Sequence, residues 1–197
     1  MRFEILAPDD PRLGPSTDTA DAVAAIAAAE LVGEVEPIRS AILAMTALHA
    51  DVLLRTCVAG HLTGSAAVVD HLGQRSLLML HTKLGRWFQP GGHADGEANL
   101  AAVALREATE ETGIDDLRVV WPAIDVDIHH VPLPGEAPHV HLDVRFLVLA
   151  ADGATPVGNH ESQELRWVDL DSLEALDPDE STRRVVARGL DVARRIL

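Results

Sequence analysis

The sequence predicts an α/β fold preceded by a helical arm, and three observations carry that prediction. Apolar residues recur every three to four positions through 17–31, 37–48 and 179–197, the period of helices with one buried face. Between 61 and 168 the pattern changes to short apolar or alternating runs, the signature of strands. One further helical stretch, 99–112, interrupts those strands, so the chain alternates between the two kinds of element. The 197 residues suffice for one domain with a proper core, or a domain plus an extension.

Residues 1–16 hold Pro8, Pro11, Gly14 and Pro15 and read as an irregular lead-in. Thr17 to Leu31 reads as a helix, with Val23, Ile26, Ala27 and Leu31 at helical spacing and Gly33 ending it. Glu36-Pro37 opens a second helix, proline suiting a first turn, with Ile38, Ala41, Ile42, Met45 and Leu48 on one face. These two helices define an N-terminal extension, residues 1–56, ahead of a main domain, residues 57–197. The arm either covers the sheet or forms a contact between two copies of the chain, which would make a homodimer.

The strands follow. Gly64 to Val69 and Ser76 to Thr82 form a hairpin around His71-Leu72-Gly73-Gln74, and Leu84 to Phe88 is a short strand feeding a Pro-Gly-Gly turn. A helix begins at Asn99, its N-cap, and stops before Gly113. Leu117 to Val126 is a strand, His129 to His139 a proline-bearing loop, and Leu142 to Ala150 an alternating strand. Ala151 to His160 is polar and glycine-bearing and is expected to be mobile. Glu164 to Val168 is a strand and Asp169 to Leu176 a short helix. Asp177-Pro178 leads the final helix, whose acidic start (Asp179, Glu180) and basic end (Arg194, Arg195) complement its dipole.

Composition excludes several classes. At 47% hydrophobic the chain is not disordered, and no run of eighteen apolar residues offers a membrane span. The start MRFEILAPDD has neither the basic head nor the apolar centre of a secretory signal. Cys57 is the sole cysteine, which fits a reducing cytoplasm and, set among apolar neighbours, reads as packing. The formal net charge of −15 argues against a broad nucleic-acid grip. A small phosphorylated substrate stays compatible, because bound divalent metal inverts the local field. There is no nucleophile elbow and no P-loop lysine motif.

The chemistry concentrates between Gly91 and Ile114. Residues three and four apart on a helix share a face, so Glu107, Glu110 and Glu111 project together. Leu105, Ala101, Ala108 and Thr112 point away from them, towards a sheet. Two like charges ~4 Å apart at an effective dielectric of ~20 repel by about 4 kcal/mol. Such a patch stays solvated or takes up a cation, and glutamate oxygens suit Mg²⁺ when a phosphate supplies further ligands. A generic helix with three glutamates is read as a solvated face. Here the turn Gln89-Pro90-Gly91-Gly92-His93 reverses that reading, since glycine lets backbone approach a ligand. Arg106, four before Glu110, can orient it.

The stretch resembles the signature box of the Nudix hydrolase family, of the MutT-like kind: glycine, five residues, glutamate, seven residues, then Arg-Glu-aliphatic-x-Glu-Glu-x-Gly-aliphatic. Gly92 sits fourteen before Arg106, and Arg106 to Ile114 fits throughout, with Ala108 in the first aliphatic slot. One position departs: the first glutamate of the pattern falls on Ala98, with Glu97 one residue early and Asp95 close by. The resemblance implies an α/β/α sandwich with a mixed sheet and a hydrolase of phosphoanhydride bonds. It also implies a metal site of Gly92, Glu107, Glu110 and Glu111, holding Mg²⁺ with Mn²⁺ as a substitute, and Arg106 as the residue that steadies the glutamates.

A second feature of that family, a loop glutamate six residues before a strand tryptophan, is matched by Glu161 and Trp167, with Glu164 as substitute. It implies a base or metal ligand delivered by a loop, while Trp167 itself reads as packing. His93 lies next to Gly92 and so near any bound phosphate. Lys83, Arg86 and Arg145 are the nearby cations for phosphate, and Trp87 could stack on a base. His129, His130, His139 and His141 bracket one loop, and His139 and His141 would face the same side of a strand. They are read as satisfied or solvent-facing histidines rather than a metal site.

These readings combine into an expectation of a metal-dependent pyrophosphohydrolase acting on a nucleoside diphosphate linked to another moiety, such as a nucleotide sugar, ADP-ribose or a nucleoside triphosphate. Glu110, Glu111 or Glu161 would take the proton of the attacking water. The alternative is a Nudix-fold module that binds a nucleotide or ADP-ribose with little turnover, favoured by the displaced glutamate and opposed by the intact Arg-Glu…Glu-Glu block.

Overall fold

A computed structural model describes residues 3–31, 33–131 and 139–197. Its centre is a mixed eight-stranded sheet, with β1 (Glu4–Leu6), β2 (His61–Val69), β3 (Ser76–His81), β4 (Trp87–Phe88), β5 (Gly91–His93), β6 (Arg118–Val131), β7 (His139–Leu149) and β8 (Ser162–Val168). The main path runs β1-β6-β7-β2-β3-β4, while β5 adds to β2 and β8 adds to β3. The β2–β7 pair is parallel, in register from His61↔His141 to Val69↔Leu149. The other pairings are antiparallel.

Both faces of the sheet are covered, by α1 (Thr19–Ala28), α2 (Glu36–Leu48) and α3 (Leu100–Thr112) on one side and α5 (Glu180–Ile196) on the other, with α4 (Leu170–Leu173) leading into α5. The alternation of each strand divides its side chains accordingly. Val144, Phe146 and Val148 of β7 pack with Leu100, Ala104 and Ala108 of α3 and with Ile26 and Ile42 of the two N-terminal helices. Leu147 and Leu149 face the other way and pack with Val186, Leu190 and Ala193 of α5. This is an α/β/α sandwich. No helix among the described residues is long and apolar enough to cross a membrane.

Helix α3 follows its local signals. The Asn99 side chain accepts from the Ala102 N–H, and Gly113 closes the helix at φ 62°. Glu97 takes part in the same cap, its carboxylate accepting from Ser16 N–H at 2.8 Å and Asn99 N–H at 2.7 Å.

Four local expectations change. The lead-in contains β1, whose Leu6 is buried; three residues are too short for a periodic signal, and pairing with β6 makes the strand. Gly91 to His93 is a strand rather than only a turn, held on β2 through Thr63↔His93 and Ser65↔Gly91. His129 and His130 belong to β6, not a loop; Pro132, Pro134 and Pro138 lie outside the described residues. The segment 151–160 is fastened to α3, with Val157 N–H donating to Thr112 O at 2.7 Å and Asn159 Nδ2 to Glu110 O at 3.1 Å.

Candidate active site

The glutamate face of α3 meets the backbone of β5. Gly91 N–H donates to Glu111 Oε2 at 2.9 Å, and a Cβ at Gly92 would fall on the Glu107 carboxylate, so only glycine permits this approach. Glu111 is 4% exposed, Glu107 half-buried and Glu110 exposed. Arg106 does not orient Glu110. Its guanidinium donates instead to Glu107 Oε1 at 2.7 Å and to the His93 carbonyl at 3.3 Å, because the side chain turns along β5 rather than down the helix.

The electrostatics follow from this crowding. Burial raises the Glu111 pKa to about 8, the Gly91 N–H opposing and Glu107, Glu161 and Glu110 adding to the rise. Burial likewise lifts Glu107, although Arg106 partly counters it. A buried carboxylate whose neighbours are further carboxylates is a ligand set short of positive charge. An all-oxygen donor set of this kind fits a hard divalent cation, with Glu107 and Glu111 closest to the Gly92 bend and Glu110 beside them.

Glu161 reaches the same patch from the far side. The loop 157–161 is tied to the C-terminal end of α3, and Glu161 N–H donates to Asn159 Oδ1 at 2.8 Å. Its half-exposed carboxylate is close enough to raise the pKa of both Glu107 and Glu111. Glu164 points elsewhere and pairs with Arg166. Trp167 packs against the main core. Asp95 pairs with Arg55 and Glu97 caps α3, so neither enters the glutamate face.

The expected phosphate and base contacts divide. Arg145 is 1% exposed and is withdrawn from the substrate-binding residues. Its position in β7 faces α5, where it pairs with Asp143 at 2.7 Å and with Asp125 and Asp127 at 3.0 Å each, and donates to Ser181 Oγ at 2.7 Å. Arg86 pairs with Asp179 at 3.3 Å, and Trp87 carries the Arg166 guanidinium 4.9 Å from its ring centre. These contacts tie the start of β4 to the N-cap of α5 and to β8. The His93 side chain points through the sheet, away from Glu107, and its carbonyl alone meets the glutamate side. There it joins His61, His139 and His141 in a cluster, and burial holds its pKa near 4. His61 gave no local signal; only the parallel β2–β7 register sets it opposite His141.

Comparison with known proteins agrees with this architecture. The family model for the NUDIX domain matches residues 61–189. The chain belongs to the Nudix hydrolase family. Among its relatives is the CMP-5'-(N-acetyl-N-hydroxy-3-aminopropyl)phosphonate hydrolase of Streptomyces rubellomurinus, 32% identical over 124 residues, which are 57% of this chain and 54% of the relative. The chain thus matches about half the length of that relative. Similar solved structures include a NUDIX-family hydrolase from Clostridium perfringens (TM-score 0.52, 21% identity, 67% of this chain and 97% of that one). Another is the dihydroneopterin triphosphate pyrophosphohydrolase of E. coli (TM-score 0.53, 17% identity, 66% and 95%). A third is the Ap4A hydrolase of C. elegans (TM-score 0.52, 18% identity, 64% and 93%). At these identities the likeness is one of fold.

Proposed function

We propose that the chain is a divalent-metal-dependent pyrophosphohydrolase that cleaves a nucleoside diphosphate linked to another moiety. The observation that carries this reading is the pair of carboxylates, buried Glu111 and half-buried Glu107, folded against the Gly91-Gly92 bend with Glu110 and Glu161 beside them. The name of the Streptomyces relative, a hydrolase of a CMP phosphonate, supports a substrate in which a nucleotide is joined to a second group.

Glu107, Glu110, Glu111, Glu161 and the Gly92 carbonyl would hold Mg²⁺, with Mn²⁺ as a substitute. The ion, when bound, neutralises diphosphate charge and makes a coordinated water more acidic. The protein groups do the rest. Arg106 keeps the Glu107 carboxylate turned towards Gly92 and is a positioning residue. Glu161, or Glu110 or Glu111, accepts a proton as water attacks one phosphorus. The bond from that phosphorus to the bridging oxygen breaks, and the two halves leave as separate phosphates. The hydrogen bonds of Asn159 to Glu110 O and from Glu161 N–H support a role for Glu161 beside the helix glutamates.

The test is formation of the cleaved nucleotide products, separated by chromatography, from a panel of nucleotide sugars, ADP-ribose, nucleoside triphosphates and dinucleoside polyphosphates, with Mg²⁺ or Mn²⁺. Wild type turns over at least one class, and Glu110→Gln and Glu111→Gln each lose at least ~100-fold in kcat. A Glu111→Gln enzyme as fast as wild type overturns the role assignment. Tight binding of ADP-ribose by calorimetry without turnover would make the chain a binding module instead.

A further inference from the structure

On the sheet face opposite the glutamates, four imidazoles converge. His61 comes from β2, His93 from β5, and His139 and His141 from β7, and one ring nitrogen of each lies within 4.8 Å of the others. His141 Nε2 stands 3.2 Å from His139 Nε2 and 3.1 Å from His93 Nε2. His61 is 1% exposed, and neither of its ring nitrogens makes a hydrogen bond of good geometry.

Proton sharing does not account for this arrangement. A neutral imidazole nitrogen carries either one N–H or one in-plane lone pair. His141 Nε2 can therefore satisfy one of its two neighbours well, not both. Leaving a buried polar group unpaired costs roughly 1–3 kcal/mol, and neither ring nitrogen of His61 has a partner of good geometry. Protonating the rings would remove the orphan lone pairs but set cations side by side in a partly dry site.

A single cation satisfies all four. Nitrogens ~2.0–2.1 Å from one Zn²⁺ in a tetrahedron stand ~3.3–3.4 Å apart. The two contacts around His141, at 3.1 and 3.2 Å, are close to that edge, and ring rotations can bring in His61. All-imidazole donors favour borderline transition metals over Mg²⁺, the reverse of the glutamate face. His93, His139 and His141 are each partly open to solvent, which gives the ion an entry path.

We propose that His61, His93, His139 and His141 form a second, transition-metal site of the zinc class, separate from the glutamate face. Its place in the fold gives it a role. Strand β5 is three residues long, and its successive residues bond the Glu111 carboxylate, crowd Glu107 and join the histidine cluster. An ion held by His93 together with β2 and β7 would fix β5 and with it the Gly91-Gly92 bend. Arg55 and Asp95 near the cluster are paired with each other, and Asp143, two residues along β7 from His141, is bonded to Thr63, Ser65 and Arg145.

The experiment is metal binding by chelator-stripped protein, using Zn²⁺ and Co²⁺ without nucleotide. Wild type retains one Zn²⁺ per chain after dialysis, and Co²⁺ gives the strong visible absorption of tetrahedral nitrogen ligation. The joint variant His139→Ala and His141→Ala weakens Zn²⁺ binding at least 100-fold. The variant Glu107→Gln and Glu111→Gln keeps the single Zn²⁺ and the Co²⁺ spectrum, which separates this site from the glutamates. Should the double histidine variant not fold, the wild-type Co²⁺ spectrum decides. A weak, six-coordinate oxygen-type spectrum, no Zn²⁺ uptake, or loss of the ion in the glutamate variant overturns the proposal.

Discussion

Replacing Glu111 by glutamine should stabilise the metal-free protein, and the gain should grow with pH. The folded pKa is raised from the ordinary 4.5 to about 8. Between those values the folded state keeps a proton that the unfolded chain has released. The stability this group contributes is therefore complete below pH 4.5 and is lost as pH rises towards 8. Each pH unit in that window removes about 1.4 kcal/mol, so roughly 3 kcal/mol is gone at pH 7. Glutamine never ionises, and its Oε1 can still accept the Gly91 N–H. For a chain of this length that corresponds to a Tm about 6–12 °C higher than wild type at pH 7 in EDTA, with the two proteins equal near pH 4.5. Added Mg²⁺ should reverse the order, since the ion stabilises only a chain that can bind it. Differential scanning calorimetry at both pH values, with and without chelator, measures this. Equal melting of Glu111→Gln and wild type at pH 7 in EDTA would refute the reasoning, because it would mean that burial does not hold a proton on Glu111.

Three further outcomes follow from single contacts. Gly92→Ala sets a methyl group on the Glu107 carboxylate, so the Mg²⁺ concentration for half-maximal activity should rise at least about tenfold; an unchanged requirement would show that the two do not touch. Asn159→Ala frees the loop carrying Glu161, so kcat should fall roughly tenfold, about 1.4 kcal/mol, while Tm drops by only ~2–4 °C. Arg145→Met leaves Asp125, Asp127 and Asp143 facing one another in the interior. It should cost about 3–5 kcal/mol in chemical denaturation, and a variant within 1 kcal/mol of wild type would contradict a structural role for Arg145.

The sequence alone determined the elements that rest on local rules. The helix from Asn99 to Thr112, its cap, its closing glycine and the shared face of Glu107, Glu110 and Glu111 follow from spacing and residue type within a few turns. The same holds for α2 and for the final amphipathic helix. The α/β class was legible because the periods 3.6 and 2 alternate in blocks long enough to read, and the family because eight of the nine specified positions of its box stand in one stretch.

What only the tertiary structure decided depends on partners distant in the chain. Three-residue strands such as β1 and β5 carry too few positions to show a period and exist because β6 and β2 offer them backbone partners. Arg145, open to a phosphate in one dimension, is enclosed by three aspartates once β6, β7 and α5 are assembled. Arg106 bonds the neighbouring Glu107 rather than Glu110, because the path of β5 supplies a second acceptor there. The histidine cluster is the plainest case. His61 and His141 are 80 residues apart, and it is the parallel pairing of β2 and β7, fixed by burial on both faces, that sets one beside the other.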